Sequence, residues 1–160
     1  MWWVLDVHYG DDRSVVGAVG VRDLQAAAGL EVTEVVAGAP APYEPGSFYL
    51  RELPLLTAFL RPREAVGVVV DGFVWLGRER KGLGAHLHDA TGLPVIGVAK
   101  RGFHGAEAVA EPVLRGDSER PLWVTHEGVP DAARIVAAMH GPWRHPTLCK
   151  RADHLCRGLP

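Results

Sequence analysis

The sequence predicts an α/β fold: a mixed sheet, with three antiparallel strands followed by parallel strands, flanked by helices. Two patterns carry the prediction. The first 40 residues hold three β-branched segments joined by short turns, and the stretch from residue 64 to 99 sets two continuous apolar runs on either side of a helix-period segment. Size adds a third observation. With 160 residues, 48% of them hydrophobic and 22% charged, there is room for one domain, residues 1–160, built on a real core.

Trp2 to Val7 is a short apolar run that contains Asp6, Ser14 to Val21 is rich in β-branched residues, and Glu31 to Ala37 alternates Val32, Val35 and Val36 with polar positions. The Asp11-Asp12 pair marks the turn between the first two strands. After the Pro/Gly-rich stretch from Ala39 to Gly46, Ser47 is a candidate cap for a helix reaching about Leu60. Leu53, Leu56, Leu60 and Phe48 or Phe59 form its apolar face, and Pro54 is a candidate kink. Glu64 to Val70 closes on Asp71-Gly72 and reads as a strand buried on both faces. A helix from about Gly82 to Thr91 then leads to a second buried strand, Leu93 to Ala99, completing a β-α-β unit. Leu122 to Thr125 reads as a last short strand. Pro130 to His140 reads as a helix stopped by Gly141-Pro142, and Thr147 to Arg157 as a final helix.

The net charge of −2 hides an asymmetry. Residues 1–60 carry only Arg13, Arg22 and Arg51 as basic groups, whereas residues 61–101 are locally basic, and Arg78, Arg80, Lys81, Lys100 and Arg101 suit either a phosphate-facing surface or a plain solvated one. No apolar run approaches the roughly 20 residues of a membrane helix, so no membrane partner is expected. The N-terminus enters Met1-Trp2-Trp3-Val4-Leu5-Asp6 without a basic, then apolar leader, which gives the expectation of a cytoplasmic protein. Cys149 and Cys156 are too few for a disulfide framework and fit a reducing compartment.

Two carboxylates stand at the ends of expected buried strands, Asp6 and Asp71. Burying a lone carboxylate is costly, so each needs a donor, a cation or a metal; a strand-end aspartate capping a turn is the simpler reading. If the two strands are neighbours, the carboxylates converge. Glu52 can add a third oxygen donor, and three carboxylates with open water positions are what Mg²⁺, or Mn²⁺ in its place, prefers. Such a site supports metal-assisted phosphodiester hydrolysis. His126, after the short strand, is placed to reach a sheet-end site as a ligand or proton shuttle. His145, Cys149, His154 and Cys156 match no common zinc spacing, and Gly82-Leu83-Gly84 lacks the features of a dinucleotide loop.

Several blocks in one order resemble endonuclease V, the deoxyinosine-directed nuclease family. They are Pro42-Tyr43-Glu44-Pro45-Gly46 with Leu50-Arg51-Glu52, then Val70-Asp71-Gly72, then the Lys81 to Leu87 segment, then Leu93-Pro94-Val95-Ile96-Gly97-Val98-Ala99-Lys100. The surroundings of Asp6 and the Thr125-His126 pair match more weakly. The resemblance implies a ribonuclease H-like fold and a metal-dependent endonuclease acting on inosine-containing or otherwise anomalous DNA or RNA. It also implies Asp6, Glu52, Asp71 and His126 as metal-site residues, Lys100 at the reaction centre, and Tyr43 as a wedge beside the lesion. Nucleic-acid contacts are expected at Tyr43, Pro45, Gly46, Gly72, Phe73, Val74, Arg80 and Lys81. No obligate protein partner is inferred.

The chain departs from the family where Asp-Gly is usually followed by His-Gly. Here Gly72 is followed by Phe73-Val74, and Val74 is expected to close or reshape the base pocket. The alternative reading is a nucleic-acid-binding family member with altered or lost catalysis.

Overall fold

The computed structural model describes residues 1–44, 47 and 49–160. Its strands are β1 (Trp2–Tyr9), β2 (Arg13–Val21), β3 (Leu30–Ala37), β4 (Gly67–Asp71), β5 (Val95–Ala99), β6 (Glu111–Val113) and β7 (Leu122–Glu127). The helices are α1 (Tyr49–Leu60), α2 (Leu83–Thr91), α3 (Ala132–Ala138) and α4 (Thr147–Arg157). The strands form one mixed sheet in the order β3-β2-β1-β4-β5-β7-β6.

Alternation along the strands sorts the apolar side chains onto two faces. Trp3, Leu5, Val68, Val70 and Val95 meet Leu56, Phe59 and Leu60 of α1 and Leu83, Ala85 and Leu87 of α2. Val4, Val69, Ile96, Val98 and Val124 meet Ala132, Val136 and Met139 of α3 and Leu148, Cys149 and Ala152 of α4. The result is three layers, helices on both sides of a sheet whose central strands β1, β4 and β5 run parallel.

Two details position everything that follows. Asp6 pairs with Gly17 across β1 and β2, and a Cβ built at Gly17 would lie 2.4 Å from the Ala152 carbonyl oxygen and 2.5 Å from the Cys156 nitrogen. Only the missing side chain lets α4 rest directly on the sheet at the level of Asp6. The connection into α4 is tied down by two arginines. Arg115, 6% exposed, donates to the carbonyl oxygens of Met139 (2.5 Å), Trp143 (3.0 Å) and Gly141 (3.1 Å). Arg144 donates to those of Arg120, Pro121 and Lys100.

The expected elements are present, with two differences. Glu111–Val113 adds a three-residue edge strand that carries Pro112, too short to leave an alternating pattern in the sequence. β7 does not continue the parallel set: it runs antiparallel to β5, pairing Val98 with Val124 and Ile96 with His126.

Candidate active site

In the β1–β4 register Leu5 pairs with Val70, so the next residues, Asp6 and Asp71, stand side by side at the carboxyl end of β4, where β1 runs on to Tyr9. Ligand sites in open α/β sheets form at such an edge. Glu52, 7% exposed, joins them from the first turn of α1, and Lys100 follows the end of β5. From the opposite face α4 contributes Asp153. Asp6, Glu52, Asp71, Lys100 and Asp153 share the lining of a cavity of about 450 Å³. One potential ligand atom each from Asp6, Asp153 and Cys156 lies within 4.8 Å of the others.

The electrostatics record an excess of negative charge. Burial, then the neighbouring Asp71, raises the pKa of Asp6 to about 7. Burial and the charge of Asp6 raise Glu52 to about 8. Burial, with a smaller push from Asp153, raises Asp71 against the pull of Lys100. Asp153 behaves differently: burial pushes its pKa up, but Arg157, donating to Asp153 Oδ1 at 2.6 Å, outweighs that and leaves it lowered. Clustered carboxylates that repel one another in this way are what a divalent cation neutralises, and hard oxygen donors suit Mg²⁺ and Mn²⁺. The residues present fit such an ion.

Beside the acidic floor lies a cleft of about 390 Å³ whose lining includes Tyr43, Tyr49, Phe73, Leu76, Leu83 and Phe103. Asp71, Gly72 and Lys100 border both spaces, so the aromatic cleft opens onto the carboxylates. Phe73 and Phe103 are tilted rings 6.1 Å apart, and Arg80 lies over Phe103 at 5.3 Å. Gly72 makes the turn out of β4 at a φ of 128°, which favours glycine. Lys81 is engaged in an ion pair with Asp89. Pro45 and Gly46, expected contacts to nucleic acid, lie outside the described residues, as does Phe48.

Two expectations need correction. Val74 is not a wall of the cleft. It is fully buried in the core between the sheet and α2, its N–H donates to Thr125 Oγ1 (2.8 Å), and its carbonyl accepts from Gly82 (2.8 Å). A Cβ at Gly84 would meet Val74 Cγ2 at 2.5 Å, so the glycine makes room for the valine. Phe73 alone of the pair faces the cleft, which it lines without filling. His126 does not join the carboxylates. Asp71 pairs with Val98, and Val98 with Val124, so His126 stands two residues further along β7, toward the opposite edge of the sheet. There its Nδ1 accepts from the Val129 N–H at 3.3 Å.

Three residues near the floor were not singled out for it from sequence: Asp153, Cys156 and His145. His145 lines a small cavity with Asp6, Asp71 and Cys149, and burial, followed by the charge of Lys100, lowers its pKa to about 4, leaving a neutral imidazole. Asp153 carried a readable signal. Leu148, Cys149, Ala152 and Cys156 form a helix stripe that seats α4 on the sheet, with Asp153 beside it.

The endonuclease V family model matches residues 3–153. The chain belongs to the endonuclease V family. Endonuclease V of Streptomyces coelicolor is 34% identical over 177 residues, covering 96% of this chain and 76% of the relative. Endonuclease V of Streptomyces avermitilis is 35% identical over 182 residues, covering 96% and 77%. The crystal structure of the S. avermitilis protein superimposes with a TM-score of 0.72 at 32% identity, over 98% of this chain and 79% of that one. Endonuclease V of Ciona intestinalis, crystallised with DNA containing an inosine followed by a ribo-adenosine, shares the fold: its TM-score is 0.79 at 20% identity, over 98% of this chain and 84% of that one. The mixed sheet described above is thus the ribonuclease H-like fold of endonuclease V. The span matched by the family holds Asp6, Glu52, Asp71, Lys100 and Asp153; Cys156 lies beyond it.

Proposed function

We propose that this chain is a divalent-metal-dependent endonuclease that hydrolyses a phosphodiester in inosine-containing or otherwise anomalous DNA or RNA. The observation that carries the reading is the convergence of Asp6, Glu52 and Asp71, with Asp153 and Lys100, on a floor that opens into an aromatic cleft.

Asp6, Glu52, Asp71 and Asp153 would hold the cation, Mg²⁺ or Mn²⁺, and His126 is not among its ligands. When bound, the ion supplies Lewis-acid stabilisation of charge at the attacked phosphate and a more acidic water. Lys100, open to solvent between floor and cleft, offsets charge on the phosphate oxygens. Tyr43 and Phe73 offer ring faces to a base displaced from its stack, and Tyr43, exposed at the mouth, is the wedge that offsets the cost of unstacking. The cationic Arg80 beside Phe103 adds attraction for the backbone.

The purified protein, incubated with Mg²⁺ or Mn²⁺ and labelled inosine, uracil and unmodified oligonucleotides in DNA and RNA form, is expected to cut the inosine-containing strands. Equal cutting in excess chelator would overturn the metal reading. Tight binding without cutting in any substrate or metal would instead favour a family member that has kept binding and lost catalysis.

A further inference from the structure

The chemistry of the acidic floor is not uniform. Its oxygen donors come from β1, β4, α1 and α4, and α4 also brings a sulfur: the Cys156 thiol stands with one carboxylate oxygen each of Asp6 and Asp153, all three atoms within 4.8 Å of one another. Two constraints fix that sulfur. α4 is seated on Gly17, where a Cβ would come within 3.0 Å of Cys156 Cβ, and the thiol donates to the Asp153 carbonyl oxygen at 3.1 Å, one turn back on the same helix. Cys156 is 3% exposed, so the sulfur is shielded from bulk reagents, while its two carboxylate neighbours, Asp6 and Asp153, line the cavity of about 450 Å³.

The geometry points to a sulfur-bearing cation position made by Asp6, Asp153 and Cys156, which takes a thiophilic divalent ion of the zinc and cadmium class and shares Asp6 and Asp153 with the hard-ion site. This inference rests on the metal-binding reading of the floor. Three protein ligands of mixed oxygen and sulfur type with room for a water form a set that zinc-class ions accept, whereas Mg²⁺ avoids sulfur. Without an ion the thiol is inert, because burial and the charges of Asp6 and Asp153 push its pKa up to about 12. A divalent ion placed among the three reverses that balance: the thiol proton passes to solvent, a metal–sulfur bond forms, and the exposed Arg157 gives up its place on Asp153. Because Asp6 and Asp153 belong to both sets, the thiophilic ion competes with the ion that supports hydrolysis.

Cobalt(II) tests this with an optical signal independent of cleavage. The metal-stripped full chain titrated with Co²⁺ is expected to develop visible d–d bands together with a near-ultraviolet sulfur-to-cobalt charge-transfer band, both abolished by Zn²⁺. The charge-transfer band should vanish in Cys156→Ser and persist in Cys149→Ala. Visible bands without charge transfer in the wild type would overturn the sulfur position and leave the metal reading standing. A charge-transfer band that survives in Cys156→Ser and disappears in Cys149→Ala would also overturn it. No cobalt spectrum of either kind overturns the proposal, and if Mg²⁺ also leaves the melting temperature unchanged, the metal reading falls with it.

Discussion

The two halves of the site are built on different principles. The acidic half hangs on regular elements: Asp6 and Asp71 on adjacent strands, Glu52 and Asp153 on helices that pack against opposite faces of the sheet. The aromatic half belongs largely to connections: Tyr43 precedes α1, Phe73 and Leu76 follow β4, and Phe103 follows β5. Under the proposed function, the chemistry, which needs atoms held to fractions of an ångström, falls to strands and the helices packed on them, and recognition to loops that can vary without disturbing the fold.

The contrast predicts that damage to the acidic half abolishes the reaction and spares binding, and that damage to the aromatic half does the reverse. Asp71→Asn removes a ligand charge at constant volume. Cleavage should fall about a thousandfold, equivalent to roughly 4 kcal/mol of barrier, while oligonucleotide affinity changes little. Single-turnover cleavage and a binding isotherm on one preparation check this.

Gly17→Val attacks the acidic half without touching a carboxylate. The side chain collides with the backbone of α4, and the overpacking should cost about 1–3 kcal/mol, lowering Tm by roughly 2–10 °C. Because Asp153 moves away from Asp6, the Mg²⁺ concentration needed for half-maximal cleavage should rise as well. A normal metal requirement in a destabilised variant would show that α4 contributes packing alone.

Tyr43→Ala probes the other half. Losing one stacking face is worth about 1–3 kcal/mol, so the preference for a lesion over normal duplex should drop on the order of tenfold, with salt-sensitive non-specific binding unchanged. Phe73→His should have a smaller effect, confined to the choice of base, because Phe73 lines the cleft without closing it. Competition between labelled substrates reads both.

The pH dependence of stability sharpens the comparison further. Burial raises Glu52 to about 8 in the fold against an ordinary 4.5, and Asp6 to about 7 against 3.8, so between those limits the folded state holds protons that the unfolded chain has lost. Their contribution to stability is therefore full below about pH 4 and lost as pH rises through 7 to 8. In metal-free protein, Glu52→Gln should melt a few degrees above wild type at about pH 8.5 and close to it at about pH 5. Mg²⁺ should raise the wild-type Tm more at the higher pH.

The convergence of Asp6, Glu52 and Asp71 was legible in the sequence chiefly through the family resemblance, because a strand-end aspartate in an apolar run taken alone reads as readily as a turn cap. Asp153 is easier to pass over: the apolar stripe beside it marks the buried side of α4, but its spacing of four residues from Arg157 resembles an ordinary surface pair. The placing of His126 depended on the direction of β7, which hydrophobic pattern does not encode. Val74 misled for a related reason: neighbours along a loop can face opposite ways, and only tertiary packing against Gly84 shows that Val74 turns inward while Phe73 turns out.

The arginine ties that hold the entrance to α4 have a kinetic corollary. Every bond in that clasp runs from a guanidinium to a main-chain carbonyl, and neither partner gains or loses a proton anywhere near neutral pH. Acid therefore discharges the carboxylates of the floor without unfastening the helix that brings Asp153 to them. Silencing by mild acid should accordingly be a change of occupancy within an intact scaffold, and returning the sample to neutrality should restore cutting within the mixing time, with no refolding lag.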